Sequence, residues 1–132
     1  YDTLLLLQPT SPFRTSQHIK EAFNLYTTDL DMLVSVKETA ANPYYVLFEE
    51  NEKGYLEKSK KGDFIRRQDC PKVYEYNGAI YIMNLKTLKT TPHSQFKKIN
   101  KYVMSEEDSL DVDTPLDWSI AEFLMKKKSG NA

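Results

Sequence analysis

The run Leu4 to Arg14, LLLLQPTSPFR, constrains this chain more than any other stretch. Four leucines without a polar break suit a strand buried on both faces of a parallel α/β sheet. A helix there would be cut short, because Pro9 and Pro12 follow at once. The expected strand ends near Gln8, and its C-terminal end delivers an amide, two hydroxyls and a guanidinium from Gln8, Thr10, Ser11 and Arg14. In open α/β sheets, ligands bind beyond the carboxyl ends of the strands, which makes this polar cluster a candidate site. An ordinary turn after a core strand is the plainer reading, and for the leucines it suffices.

Downstream, Thr15 or Ser16 can cap a helix whose apolar stripe is Ile19, Ala22, Phe23 and Tyr26. His18 falls in its first turn, where a solvated side chain is commoner than a ligand. Met32–Val36 is expected to be a parallel neighbour of the leucine strand, being short, apolar and rich in β-branched residues. Tyr44–Phe48 reads as a further strand, Asn51–Gly54 as a hairpin turn and Tyr55–Lys58 as the return. Lys58, Lys60, Lys61, Arg66 and Arg67 make the middle of the chain basic. That is either a solvated face or a contact for an anionic substrate.

Val73–Asn84 (VYEYNGAIYIMN) is a second dense stretch, and Asn77–Gly78 interrupts it. A bulge, a tight bend or a close ligand approach is expected at the glycine, with Ala79–Met83 resuming as a buried strand. Leu85–Leu88 suits a short helical turn and Lys101–Met104 another strand; His93 falls in a polar loop with no evident role.

Composition narrows the function classes. With 132 residues the chain is expected to be one domain with a real core. Its net charge of -1 gives no electrostatic footprint for nucleic acid or an anionic membrane, and no apolar run reaches the length of a membrane span. Cys70 is alone, so neither a disulfide framework nor a thiolate metal site can be built within the chain, and a small buried hydrophobe in a reducing cytoplasm is expected. The chain opens at Tyr1, directly before a strand expected to be central. A sheet that starts so looks incomplete, and a longer parent protein is expected.

The segment SLDVDTPLDWSIAEFLMKKK carries the strongest chemistry. Thr114, Pro115 and Asp117 mark a helix start, with Leu116, Ile120, Phe123 and Leu124 as its apolar face and Lys126–Lys128 at the negative end of the dipole. Just upstream, Asp111 and Asp113 flank Val112, and in extended chain i and i+2 point to the same side. Two carboxylates about 5 Å apart repel by on the order of 3 kcal/mol at an effective dielectric of ~20. Such a pair needs water or a cation, and Mg2+ held by one or two carboxylates plus substrate phosphates is one resolution. Solvated acids are the commoner explanation for Asp-x-Asp by itself; its place between a strand and a capped helix favours the metal.

Three stretches in this order, LLLLQPTSPFRT, RRQDCPKVYEYNGAIYI and DSLDVDTPLDWSIAE, resemble the acylneuraminate cytidylyltransferases, the CMP-sialic acid synthetases, over nearly the whole chain. The resemblance implies an α/β, nucleotidyltransferase-like (Rossmann-like) fold: a mostly parallel sheet with flanking helices, and a projecting β dimerisation element over about residues 44–76. It implies a homodimer that uses CTP, Mg2+ and a nine-carbon acidic sugar, the anomeric hydroxyl attacking the α-phosphorus and expelling pyrophosphate. By position, Asp111 and Asp113 match the family's catalytic, magnesium-binding aspartates. Asp111 is also a candidate general base, with metal-bound water as the alternative. Gln8 matches a glutamine that contacts the acyl sugar, and Thr10 and Ser11 stand beside it as substrate contacts. Asn77 and Gly78 match the wall of the sugar pocket, and Arg67 an arginine that reaches the neighbouring subunit's sugar site. The family's Gly-rich loop for the CTP phosphates has no counterpart at Gly54, Gly62, Gly78 or Gly130. The chain is therefore expected to be the C-terminal part of such an enzyme, inactive alone. Glu75 replaces a residue that is basic in some members, which leaves sialic, legionaminic and pseudaminic acids open. The rival expectations are a non-catalytic binding or dimerisation module of the same fold, and a nucleotidyltransferase for another sugar.

Overall fold

The computed structural model describes residues 1–130. Along the chain the elements are β1 (Thr3–Leu6), α1 (Ser16–Leu25), β2 (Met32–Glu38), β3 (Phe48–Glu50), β4 (Leu56–Lys58), β5 (Tyr74–Asn84), α2 (Leu85–Thr90), β6 (Ile99–Val103) and α3 (Pro115–Lys128). They fall into two compact units, Tyr1–Lys37 with Tyr76–Ala132, and Glu38–Glu75.

In the first unit a four-stranded sheet has the order β1-β5-β2-β6. β2 and β6 run parallel, with Met32 opposite Ile99, whereas β1 and β5 run antiparallel, with Leu4 opposite Met83. The fold is α/β with a mixed sheet, which corrects two expectations. β5 lies between β1 and β2, so the leucine strand and Met32–Val36 are not neighbours. β1 is an edge strand, and Leu4, Leu5 and Leu6 stay 39%, 36% and 44% exposed. Continuous burial belongs to the strands with a neighbour on each side. Met32 to Val36 of β2 and Ala79, Ile80, Ile82 and Met83 of β5 are almost wholly covered.

The alternation of side chains along β2 builds two core clusters. Leu33 packs with Ala22, Ile80, Ile82 and Met104, while Met32, Val34 and Val36 pack with Met83 and Phe96. Each fully buried aliphatic side chain contributes roughly 1.5–3 kcal/mol. α1 starts where expected. The Thr15 hydroxyl accepts from the His18 backbone N–H, and the His18 ring accepts from the Thr15 N–H, closing a capping box. His18 is therefore engaged rather than solvated, and its Nε2 lies 3.3 Å from Asp108 Oδ2.

α3 also begins as expected. The Thr114 hydroxyl accepts from Asp117 N–H, and the Asp117 carboxylate accepts from Thr114 N–H. Its apolar residues are a correction, because Leu116 and Phe123 are 70% and 67% exposed and none on the helix is fully buried. What anchors the helix end is polar: Lys128 pairs with Asp108 at 2.8 Å and lies over the Phe13 ring.

In the second unit, β3 and β4 form an antiparallel pair with Phe48 opposite Lys58. The turn is the expected Asn51–Gly54, its Asn51 side chain accepting from Lys53 and Tyr55 N–H and Gly54 at φ +84°. Of the expected strand Tyr44–Phe48 only Phe48 is in a strand, where it opens β3. Asn42 accepts Tyr44 N–H on its side chain and Tyr45 and Val46 N–H on its carbonyl, winding those residues into a turn and delaying the strand to Phe48. Local side-chain capture of backbone donors wins over β propensity here. Cys70 is buried as expected.

Candidate active site

The loop after β1 is braced by Arg14, whose Nη1 donates to the carbonyls of Gln8 (2.7 Å) and Ala79 (3.0 Å). Both bonds go to backbone, so the guanidinium fixes the loop against β5 and is a positioning group. Thr10 O accepts from Val112 N–H at 2.9 Å, which draws the loop to the Asp111–Asp113 segment. Ser11 is 5% exposed, and its hydroxyl oxygen is buried without a hydrogen-bond partner.

β5 is kinked at Gly78, whose φ is +76°, a region costly for any residue with a side chain. The kink takes backbone donors off the ladder, and side chains replace the lost partners. Ser35 Oγ accepts Ile80 N–H at 2.7 Å and donates to Asn77 Oδ1 at 2.6 Å. Asn77 Oδ1 also accepts Ala79 N–H, while its Nδ2 donates to Ser109 Oγ at 3.0 Å. Asn77 is 5% exposed, so its amide is spent inside the protein, holding the kink. The kink has a purpose visible in the geometry. A Cβ at Gly78 would lie 2.5 Å from Gln8 Oε1 and 3.9 Å from Asp111 Oδ2. Glycine lets the Gln8 amide lie against the strand, next to a carboxylate.

Asp111 and Asp113 interact as expected. The charge of Asp111, first, and a hydrogen bond with it push the Asp113 carboxyl above the ordinary carboxylate range. Asp117 holds the same segment by its backbone: its Oδ2 accepts Asp113 and Thr114 N–H, both at 3.0 Å. These contacts keep Asp117 below the usual carboxylate range. Asp111 Oδ1 is buried and has no hydrogen-bond partner. An orphaned carboxylate oxygen beside a second carboxylate that resists ionising is a donor set suited to a hard divalent cation. Among the described residues no cluster of three or more His, Cys, Asp or Glu could hold a metal. Such an ion would need oxygens from a substrate or water beside the two aspartates.

The structure thus brings together Gln8, Gly78 and Asp111, with Asp113 beside Asp111 and Thr10 and Ser11 in the adjoining loop. Arg67 belongs to the second unit, where its Nη1 donates to Ala40 O at 3.1 Å and its guanidinium lies over the Tyr45 ring. Two site features escaped the sequence reading. Ser35 and Ser109 stabilise the kink, and nothing in their local sequence marks them. Tyr81 is half-buried and held above the usual phenol range by burial, then by Tyr76 and Asp111.

An α/β domain with a carboxylate pair between strand and capped helix is consistent with a nucleotidyltransferase-like class. No protein-family model matches the chain. Individual proteins do. Over 130 residues it is 36% identical to a post-translational flagellin modification protein B of Campylobacter coli, covering 98% of this chain and 55% of that protein. Over 115 residues it is 42% identical to an N-acylneuraminate cytidylyltransferase of Streptococcus agalactiae, covering 83% of this chain and 27% of the relative. It is 37% identical over 98 residues to a CMP-N,N'-diacetyllegionaminic acid synthase of Campylobacter jejuni, covering 74% and 41%. Over most of its length the chain is thus similar to proteins named N-acylneuraminate cytidylyltransferase and CMP-N,N'-diacetyllegionaminic acid synthase. It spans about half or less of the length of these relatives.

Proposed function

We propose that the chain carries the sugar- and metal-binding part of a cytidylyltransferase that transfers CMP from CTP to the anomeric hydroxyl of a nine-carbon acidic sugar, releasing pyrophosphate. The observation that carries this reading is the buried, unpartnered Asp111 oxygen beside Asp113, set against Gln8 and Gly78. The names of the relatives supply the substrate class.

Asp111 and Asp113 would hold Mg2+, which supplies neutralisation of triphosphate charge and acidifies a hydroxyl brought to it. The Gln8 amide orients the sugar through donor and acceptor on one side chain, and Gly78 leaves room for it to do so. Thr10 and Ser11 would offer hydroxyls from the same loop, the Ser11 oxygen being buried and without a hydrogen-bond partner. Asn77 and Arg14 act through the backbone, fixing the kink and the loop so that little reorganisation accompanies binding. Residues 44–76 would form a dimerisation element, and Arg67 would offer its guanidinium to the carboxylate of a sugar in the neighbouring subunit. None of the four glycines forms a phosphate cradle, so the chain alone is expected not to turn over CTP.

Isothermal titration with CTP and Mg2+, on this chain and on a version extended upstream, tests the reading together with an assay for CMP-sugar. Binding and product from the extended version, both lost in Asp113→Ala, are expected. If neither version binds CTP, the domain is a binding module and the aspartates hold no catalytic metal.

A further inference from the structure

β5 presents an aromatic pair, Tyr76 and Tyr81. In a regular strand, residues five apart face opposite sides of the sheet. Tyr76 and Tyr81 nevertheless meet edge to face, with ring centroids 6.3 Å apart and planes at 79°. The positive-φ step at Gly78, between them, carries Tyr76 round to the Tyr81 side. This is the use of strand irregularities near binding sites, to re-aim a side chain. Asn77, Ser35 and Ser109 support that step with buried hydrogen bonds. The same kink therefore positions Gln8 and the aromatic pair. Tyr76 remains 54% exposed, although a ring of its size gains by being covered.

We propose that Tyr76 is a specificity-determining residue of the sugar site, selecting a sugar acid that carries two N-acyl groups over one that carries hydroxyls in place of the second. The proposal rests on the cytidylyltransferase reading above and deepens it. An acylamido group offers a methyl and a flat amide that bury well against an aromatic ring, whereas a polyol loses water without a partner there. Tyr81 stands behind Tyr76 in edge-to-face contact, Tyr76 is the exposed front, and Gly78 between them is where a Cβ would meet Gln8 Oε1 at 2.5 Å. Loss of one such methyl contact is worth about tenfold in discrimination.

The test uses an active, upstream-extended version with two probes, N-acetylneuraminic acid and N,N'-diacetyllegionaminic acid, and reads kcat/KM for each. The expected wild type favours the diacetylated acid. Tyr76→Ala lowers that preference about tenfold, mainly through KM for the diacetylated acid, while the KM for CTP holds. Tyr76→Phe keeps the ring and retains the preference. An active wild type whose preference is unchanged in Tyr76→Ala, or reduced equally for both sugars, overturns this proposal alone. A wild type inactive with both acids overturns it together with the functional reading beneath it.

Discussion

At Asp113 the chain keeps a carboxylate where its neighbour's charge opposes ionisation. Asp111 raises its pKa in the folded state, and unfolding removes that repulsion. A raised folded pKa in an acid means that folding favours the protonated form. Stability is therefore undiminished below the ordinary carboxylate range and falls as pH rises through the raised value. In metal-free solution Asp113→Asn should accordingly raise the thermal midpoint at neutral pH, and the gain should vanish in acid, where wild-type Asp113 is already protonated. The asparagine amide can still donate to Asp111. In the presence of Mg2+ the order should invert, because the wild type gains a bound ion and the variant does not. Thermal scans across pH with and without Mg2+ decide it. An advantage for the asparagine variant that persisted at low pH would show that charge repulsion is not its source. Asp117 titrates in the opposite sense. Its lowered pKa adds stability above the unfolded value that is lost on acidification, so a whole-chain profile shows both trends and the difference from the variant isolates Asp113.

The element that positions this pair is the start of α3. Asp117 accepts from two successive backbone N–H groups, Asp113 and Thr114, while Thr114 returns the favour through its hydroxyl. Thr114→Ala should cost about 1 kcal/mol of stability, the usual worth of an N-cap hydroxyl. It should also weaken Mg2+ binding without removing a ligand, since Asp113 is held by the capped turn. Chemical denaturation and Mg2+ titration measure the two effects separately, and retention of full Mg2+ affinity would detach the cap from the site. This element was legible in the sequence because its signals are local: a cap, a proline and an acid within four residues. The hairpin turn at Asn51–Gly54 and the kink at Gly78 were legible for the same reason. What was not legible depends on distant partners. Met32–Val36 is a strand as its composition implies, but its neighbour β5 lies far along the chain. Tyr44–Phe48 has strand composition, yet Asn42 captures its amides. Nothing in the sequence around Asn77 shows that Ser35 and Ser109, from two other segments, engage its amide. Local patterns place the carboxylates, the glycine and Gln8; long-range pairing decides which polar atoms are left over for chemistry.

At the scale of the whole molecule, the unsatisfied surface is apolar. β1 ends the sheet with Leu4, Leu5 and Leu6 more than a third exposed, and it carries no charge between Thr3 and Gln8 to guard the edge. Natural edges are commonly protected by charges, proline or a covering segment. A net charge of -1 gives little long-range repulsion between copies. The chain by itself should therefore self-associate as concentration rises, through the β1 edge. Leu6→Lys places a cation on the most exposed of the three leucines, and Leu6 belongs to neither buried cluster. The variant should keep its circular dichroism and stay monomeric to about tenfold higher concentration, read by sedimentation velocity or light scattering. If it associates as readily as wild type while remaining folded, the edge is not the sticky surface. The exposed side of α3, with Leu116, Trp118 and Phe123, then becomes the surface responsible. The two elements are distinguishable because edge pairing adds backbone hydrogen bonds and slows amide exchange in β1, whereas contact through helix side chains leaves those amides unprotected.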